Sequence, residues 1–266
     1  MKRRLLFLLI IGLTATIAFC QKKETRSVSG FTGIDASGVF DITVTKGNTE
    51  SLAIEAEAEV MPYVRSEVRG GVLYLYLDNG NKLKNIKSLK ASVVMKNLDK
   101  VSLSGACKLT ADDLFTPDKF KAECSGASGM TVNVNTGQLS IETSGACNIR
   151  IKADVTGDAT LDMSGTSKIK GDLNANNVKF NSSGVGAIEL TGSATDIVID
   201  ASGVSNVMAE NFAVKTATIR SSGACQVTVN VSDRLKVNSS GASSVNYKGS
   251  PTLEINNSKA ANVRKI

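Results

Sequence analysis

The chain has 266 residues, with 31 Lys and Arg against 25 Asp and Glu, five Cys, 5% aromatic residues, and neither His nor Trp. Without imidazole, a Ser-His-Asp triad, a Cys-His pair, a His-ligated metal centre and a histidine pH switch are all excluded, which leaves carboxylate or lysine chemistry or none. The apolar fraction of 42% suffices for a core, and aliphatic residues carry it alongside 23 Gly and three Pro.

Residues 1–20 open with Lys2, Arg3 and Arg4, continue through an apolar run from Leu5 to Ala18, and end on small residues, as a secretory signal does. That run has 14 residues, whereas a membrane span needs roughly 20. Simple secretion is expected; lipid attachment at Cys20 is the alternative, and Phe19 fits a lipobox poorly. Export places the protein in the periplasm, at the outer membrane or on the surface of a bacterium. Removing the signal takes away three cations and no acids, lowering the net charge from +6 to +3. Such a balance, with dispersed basic residues, predicts no nucleic-acid partner. The Lys82, Lys84, Lys87 and Lys90 run reads as the solvated side of a polar loop.

Residues 21–26 read as a short linker and 27–266 as a single domain. From residue 102 onward a Ser-Gly-small motif recurs with its glycine at Gly105, Gly126, Gly145, Gly165, Gly184, Gly203, Gly223 and Gly241, at intervals of 21, 19, 20, 19, 19, 20 and 18 residues. Both flanking arms alternate with period two, the mark of strands. Upstream, Leu139 and Ile141, then Val178 and Phe180, face inward; downstream, Ile149 and Ile151, then Val227 and Val229, do the same. Second turns follow at Asn135-Thr136-Gly137 and Thr156-Gly157-Asp158.

Two strands and two turns in about 20 residues make one coil of a parallel β-solenoid, each strand pairing with its counterpart one coil on. An antiparallel sandwich is the main rival, but nothing requires its successive turns to share a sequence. Stacked coils lie about 4.8 Å apart, so a side chain at the bend crowds its copies, and Gly avoids both that and the penalty on positive φ. Residues 27–101 carry irregular forms of the same grammar, including Ser37-Gly38-Val39, and read as an N-terminal cap and first coils.

The opening Ser29-Gly30-Phe31-Thr32-Gly33-Ile34-Asp35-Ala36-Ser37-Gly38-Val39-Phe40-Asp41, the repeated Ser-Gly-Ala corners and the closing Tyr247-Lys248-Gly249-Ser250-Pro251 resemble the head GIN domain family of auto-transporter adhesins. The likeness spans about residues 27 to 265. It implies a right-handed parallel β-helix, similar to pectin-lyase-like folds but without their catalytic residues, and a role in adhesion. This chain departs from the family by placing Cys or Ser after several corners.

Cys107, Cys147 and Cys225 share one place after the corner, and Cys124 sits before one. Same-place cysteines two coils apart are too distant to bridge, so small buried thiols are expected, with Cys107 to Cys124 the one pairing worth testing. Glu123, Glu142 and Asp162 occupy one outward position in successive coils, a candidate ladder for a hard cation. As a glycosidase or lyase centre those acids need a cleft, which the sequence does not indicate. No cofactor or catalytic residue is expected. The chain reads as an exported, non-catalytic envelope protein whose faces contact a glycan, an envelope protein or copies of itself, with the membrane reached only through a lipid anchor. The alternatives are a carbohydrate-active enzyme on the same scaffold and a self-assembling structural element.

Overall fold

The computed structural model describes residues 21–78 and 86–266. The signal-like segment, Cys20, Lys82 and Lys84 lie outside them. The fold is an all-β solenoid. Each coil contributes one strand to sheet A before the Ser-Gly corner and one to sheet B after it. In sheet A, β2 (Gly33–Gly38), β8 (Lys100–Gly105), β10 (Lys119–Cys124), β12 (Gln138–Thr143) and β14 (Asp158–Gly165) pair in parallel, one coil to the next. Sheet B runs through β3 (Asp41–Lys46), β9 (Lys108–Phe115), β11 (Gly129–Thr136) and β13 (Asn148–Val155) in the same way. β15 (Lys168–Ser221) then runs unbroken through the corners at Gly184 and Gly203. β16 (Gln226–Ser239), β17 (Ser244–Lys248), β18 (Thr252–Asn257) and β19 (Asn262–Lys265) complete the stack.

In-register pairing turns the period-two pattern into continuous apolar columns. One inward column of sheet A stacks Ile34, Val101, Ala122, Ile141, Leu161 and Phe180, all 1% exposed or less. Small Ala122 between bulkier neighbours shows the varied volumes through which such a core fills its space.

The N-terminal region is built differently from its order in the chain. β6 (Val72–Leu77) and β7 (Leu89–Met95) form a rung outside β2 and β3, although they follow them in sequence. β4 (Ser51–Glu57) pairs antiparallel with β7, and β5 (Val64–Arg69) antiparallel with β6. Residues 21–26, expected as a linker, form β1 (Gln21–Arg26), antiparallel to β4. The correction has a physical cause: an end strand with unpaired N–H and C=O groups gains a full ladder by recruiting these polar residues. Arg26 anchors the strand by donating from Nη1 to the Val64 carbonyl at 3.0 Å. The short turn at Met61–Tyr63 brings Val60 and Met61 into the core.

Candidate functional site: the corner face

The corner is a backbone device. Gly38 and the eight repeat glycines all have φ between +68° and +127°. A Cβ on any of the eight would come within 2.6 Å of backbone of the preceding coil's glycine. The ladder runs unbroken across the bend: the Ala127 N–H donates to the Gly105 carbonyl at 2.7 Å, and Ala146 and Ala242 repeat the bond to Gly126 and Gly223. The corner serines tie each coil to the last. Ser125 Oγ donates to the Leu103 carbonyl, Ser164 Oγ to that of Thr143 and Ser202 Oγ to that of Ser182, at 3.0 to 3.3 Å.

Two residues past each glycine, a column reads Cys107, Ser128, Cys147, Ser167, Gly186, Ser205, Cys225 and Ser243, buried everywhere except at half-buried Gly186. Cys and Ser play the same part in it. Cys225 Sγ donates to the Ser222 carbonyl at 3.1 Å, and Ser243 Oγ to that of Ser240 at 2.9 Å. Cys107, Cys124, Cys147 and Cys225 are all free and buried. Burial pushes the Cys107 and Cys124 thiols above their ordinary range, so they are protonated rather than thiolates.

Beside the corner, the outward side chains of sheet A form a shallow open groove of about 740 Å³. One side is the serine column, among it Ser125, Ser144, Ser164, Ser183 and Ser202; the other is the column Glu123, Glu142, Asp162, Asn181 and Asp200. The sequence did not signal this groove. Sequence alternation predicts that these side chains point outward, but only stacking shows that two outward columns make walls. Strand register places Glu123, Glu142 and Asp162 in consecutive coils, as the cation ladder required. The protein supplies its own cation there: Lys121 Nζ lies 2.8 Å from Glu123 and 3.0 Å from Glu142. Lys100 adds a second contact to Glu123 at 3.6 Å. Asn181 donates to Asp162 at 2.5 Å, and Arg220 pairs with Asp200 at 3.0 Å. Among the described residues, no three metal-ligating side chains converge on a point.

The column also extends further than the repeat suggests. Asp35 stands opposite Ser102 on one side and Tyr74 on the other, with the Arg69 guanidinium 4.5 Å from the Tyr74 ring centre. Sequence alternation does not place Tyr74 beside Asp35, because β6 joins the sheet out of chain order.

The hydrogen bond from Lys121 holds the Glu123 carboxyl below the usual carboxylate range, with partial burial opposing it. A depressed folded-state pKa contributes stability that is present above the unfolded value and lost as the pH falls through the folded one. With a side chain about one-third exposed, the pair is worth at most about 0.5 kcal/mol. Thermal melts from neutral pH to about pH 3 are therefore expected to show a slightly shallower acid-side decline in Glu123→Gln than in the parent.

The family described as "Putative auto-transporter adhesin, head GIN domain" matches residues 30–157 and 141–251, together most of the chain. The chain belongs to this family. A solved structure, a "putative adhesin" from Parabacteroides distasonis, superposes with a TM-score of 0.74 at 19% identity, covering 94% of this chain and 98% of that one. A "putative adhesin" from Parabacteroides merdae gives 0.66 at 18% identity, covering 92% and 96%. A "Putative lipid binding protein" from Parabacteroides distasonis gives 0.63 at 15% identity, again covering 92% and 96%. At these identities the likeness is one of fold. No curated protein matches the chain. Among the described residues, no helix is long and apolar enough to cross a membrane.

Proposed function

We propose that this head GIN domain is an exported, non-catalytic surface protein that adheres by laying a carbohydrate chain along the corner groove of sheet A. The observation that carries the reading is the pair of hydrogen-bonding columns, hydroxyl on one side and carboxylate or amide on the other, repeated coil after coil along one open groove. A polymer of repeating hydroxylated units meets a wall with its own short repeat, so many individually weak contacts sum along the chain. Family membership supports the adhesive role. Glycoside chemistry would need one carboxylic acid with a raised pKa. Here Glu123 is held low, and it shares the Lys121 ammonium with Glu142.

A glycan array combined with release assays on polysaccharides tests the proposal. Saturable binding without turnover is expected, weakened when Glu142, Asp162 and Asp200 are replaced together by Ala. Release of oligosaccharides from any polymer would refute it.

A second reading, association of copies through the last coil, is favoured by the exposed aliphatics Leu253 and Ile255 on β18, at 42% and 44%. Light scattering over a concentration series would show a rising mass if that reading holds, and a constant monomer mass if it fails.

A further inference from the structure

The opposite sheet carries a second charged surface that the corner groove does not involve. Successive outward positions of β13 are Asn148, Arg150, Lys152 and Asp154, and those of the next coil are Lys168, Lys170, Asp172 and Asn174. Register stacks Arg150 directly against Lys170, Asn148 against Lys168, and Lys152 against Asp172. Four cations and two carboxylates, Asp154 and Asp172, thus occupy a block of eight positions, all exposed.

Acids stand nearby, Asp154 and Asp172 at outward positions and Glu189 within the field of both Lys168 and Lys170, but direct ion pairs are few. Lys170 pairs with Glu189 at 2.8 Å, but no carboxylate lies within 4.0 Å of Arg150, Lys152 or Lys168 among the described residues. The coil before supplies none from its outward positions, since Gly129, Thr131 and Asn133 stand there. Like charges directly opposite in a sheet destabilise it. Elsewhere the same fold answers carboxylates with Lys100, Lys121 and Arg220. A neutral residue at any of these exposed positions would fit the fold equally well, so the clustering is not required by packing.

The block also has a shape. Arg150 and Lys170 on one side and Lys152 with Asp172 on the other flank a depression of about 330 Å³, over Ile151 and Gly171, with Asp112 also in its lining. Gly171 is an inward position without a side chain, where a Cβ would come within 3.0 Å of Leu190. The bottom of the depression is therefore backbone and aliphatic, between walls that carry three cations, Arg150, Lys152 and Lys170, and two carboxylates, Asp112 and Asp172. It suits a ligand with regularly placed anionic groups and C–H faces between them. No aromatic residue lines it, so it offers no platform for stacking nucleic-acid bases.

We propose that this face of sheet B is a binding site for an acidic polysaccharide, whose carboxylate or sulfate groups are held by Arg150, Lys152, Lys168 and Lys170. The site goes beyond the adhesive reading of the corner groove and stands or falls without it.

The test measures binding of the full chain at low ionic strength to polygalacturonate, dextran sulfate, neutral dextran and polyadenylate. Two triple variants are compared, R150S/K152S/K168S at the site and K119S/K179S/K215S, which removes the same charge elsewhere. Thermal melts verify that both are folded. Binding to one or both acidic polysaccharides and not to neutral dextran is expected, with a salt-sensitive affinity. The site variant should lose on the order of tenfold, the sum of three modest ionic contacts, and the control variant little. Binding to polygalacturonate alone would identify carboxylate as the recognised group, and binding to dextran sulfate alone would identify sulfate. Absence of binding to either acidic polysaccharide, equal losses in the two variants, or polyadenylate binding as tight as the polysaccharides would overturn the proposal. Loss of corner-groove binding with retention of this site, or the reverse, would separate the two surfaces.

Discussion

Replacing Gly203 by Ala is expected to destabilise the protein by about 3–5 kcal/mol, near the upper end for a single methyl group. The new Cβ would sit 2.5 Å from the Gly184 carbonyl oxygen and 3.0 Å from its nitrogen. Both atoms belong to backbone that is itself held in the coil ladder, so neither can retreat without breaking hydrogen bonds above and below. Gly30 provides the control, with φ +74° against +79° for Gly203 and no atom within 4 Å of the place its Cβ would take. Gly30→Ala should cost only the left-handed penalty of about 1–2 kcal/mol. Denaturant unfolding of the two variants measures the difference. Equal losses would mean that the glycines serve φ alone and that the coils are not in contact at the corner.

Phe180→Ala is the second large effect. Its side chain is 1% exposed and stands in register with Leu161 in the column that runs back to Ile34. Truncation removes the apolar transfer term and leaves a cavity that neighbouring strands cannot close, since hydrogen bonds on both edges fix their spacing. A loss of about 3–5 kcal/mol follows. Val185, just past the neighbouring corner, is 53% exposed, and Val185→Ala should change stability by less than about 0.5 kcal/mol. Urea midpoints compared at constant m-value check both.

Much of this architecture is legible in the sequence. The spacing from Gly105 to Gly241 announces a coil, because the same bend must recur wherever coils stack, and alternation announces which residues point inward. Irregular elements are not legible in that way. The polar β1 segment carries no apolar alternation, and its place is set by an edge of β4 that needs a partner. The rung of β6 and β7 outside β2 and β3 depends on pairing across the chain, which period-two patterns do not encode. The same blindness hides Tyr74 at the head of the acidic column.

At the site, the sequence shows three acids at equivalent positions and suggests a foreign cation. Lys121 lies two positions before Glu123 on the same strand. Recognising it as their partner requires knowing that Glu142 stacks beside Glu123, within reach of the same ammonium. Coil spacing alone keeps Cys107, Cys147 and Cys225 from bridging one another but leaves Cys107 with Cys124 open, and the structure leaves all four free; that Cys225 plays the part of Ser128 and Ser243 is shown by the carbonyl each one faces. The cations of sheet B are individually ordinary in sequence and become a cluster through the pairing of β13 with β15.

All of these surfaces rest on residues one coil apart being sheet neighbours. The most direct measurement is oxidation of a double variant, Ser140→Cys with Thr160→Cys, whose positions pair in parallel between β12 and β14. Neighbouring strands are about 4.8 Å apart, within range for a disulfide. Peptide mapping should find these two thiols joined within one molecule, while Lys152→Cys with Thr160→Cys, which lie on different sheets, stays reduced. A hairpin folded about Thr156 would give the opposite pattern, joining positions 152 and 160 and leaving 140 and 160 apart, and that result would contradict the solenoid and every surface derived from it.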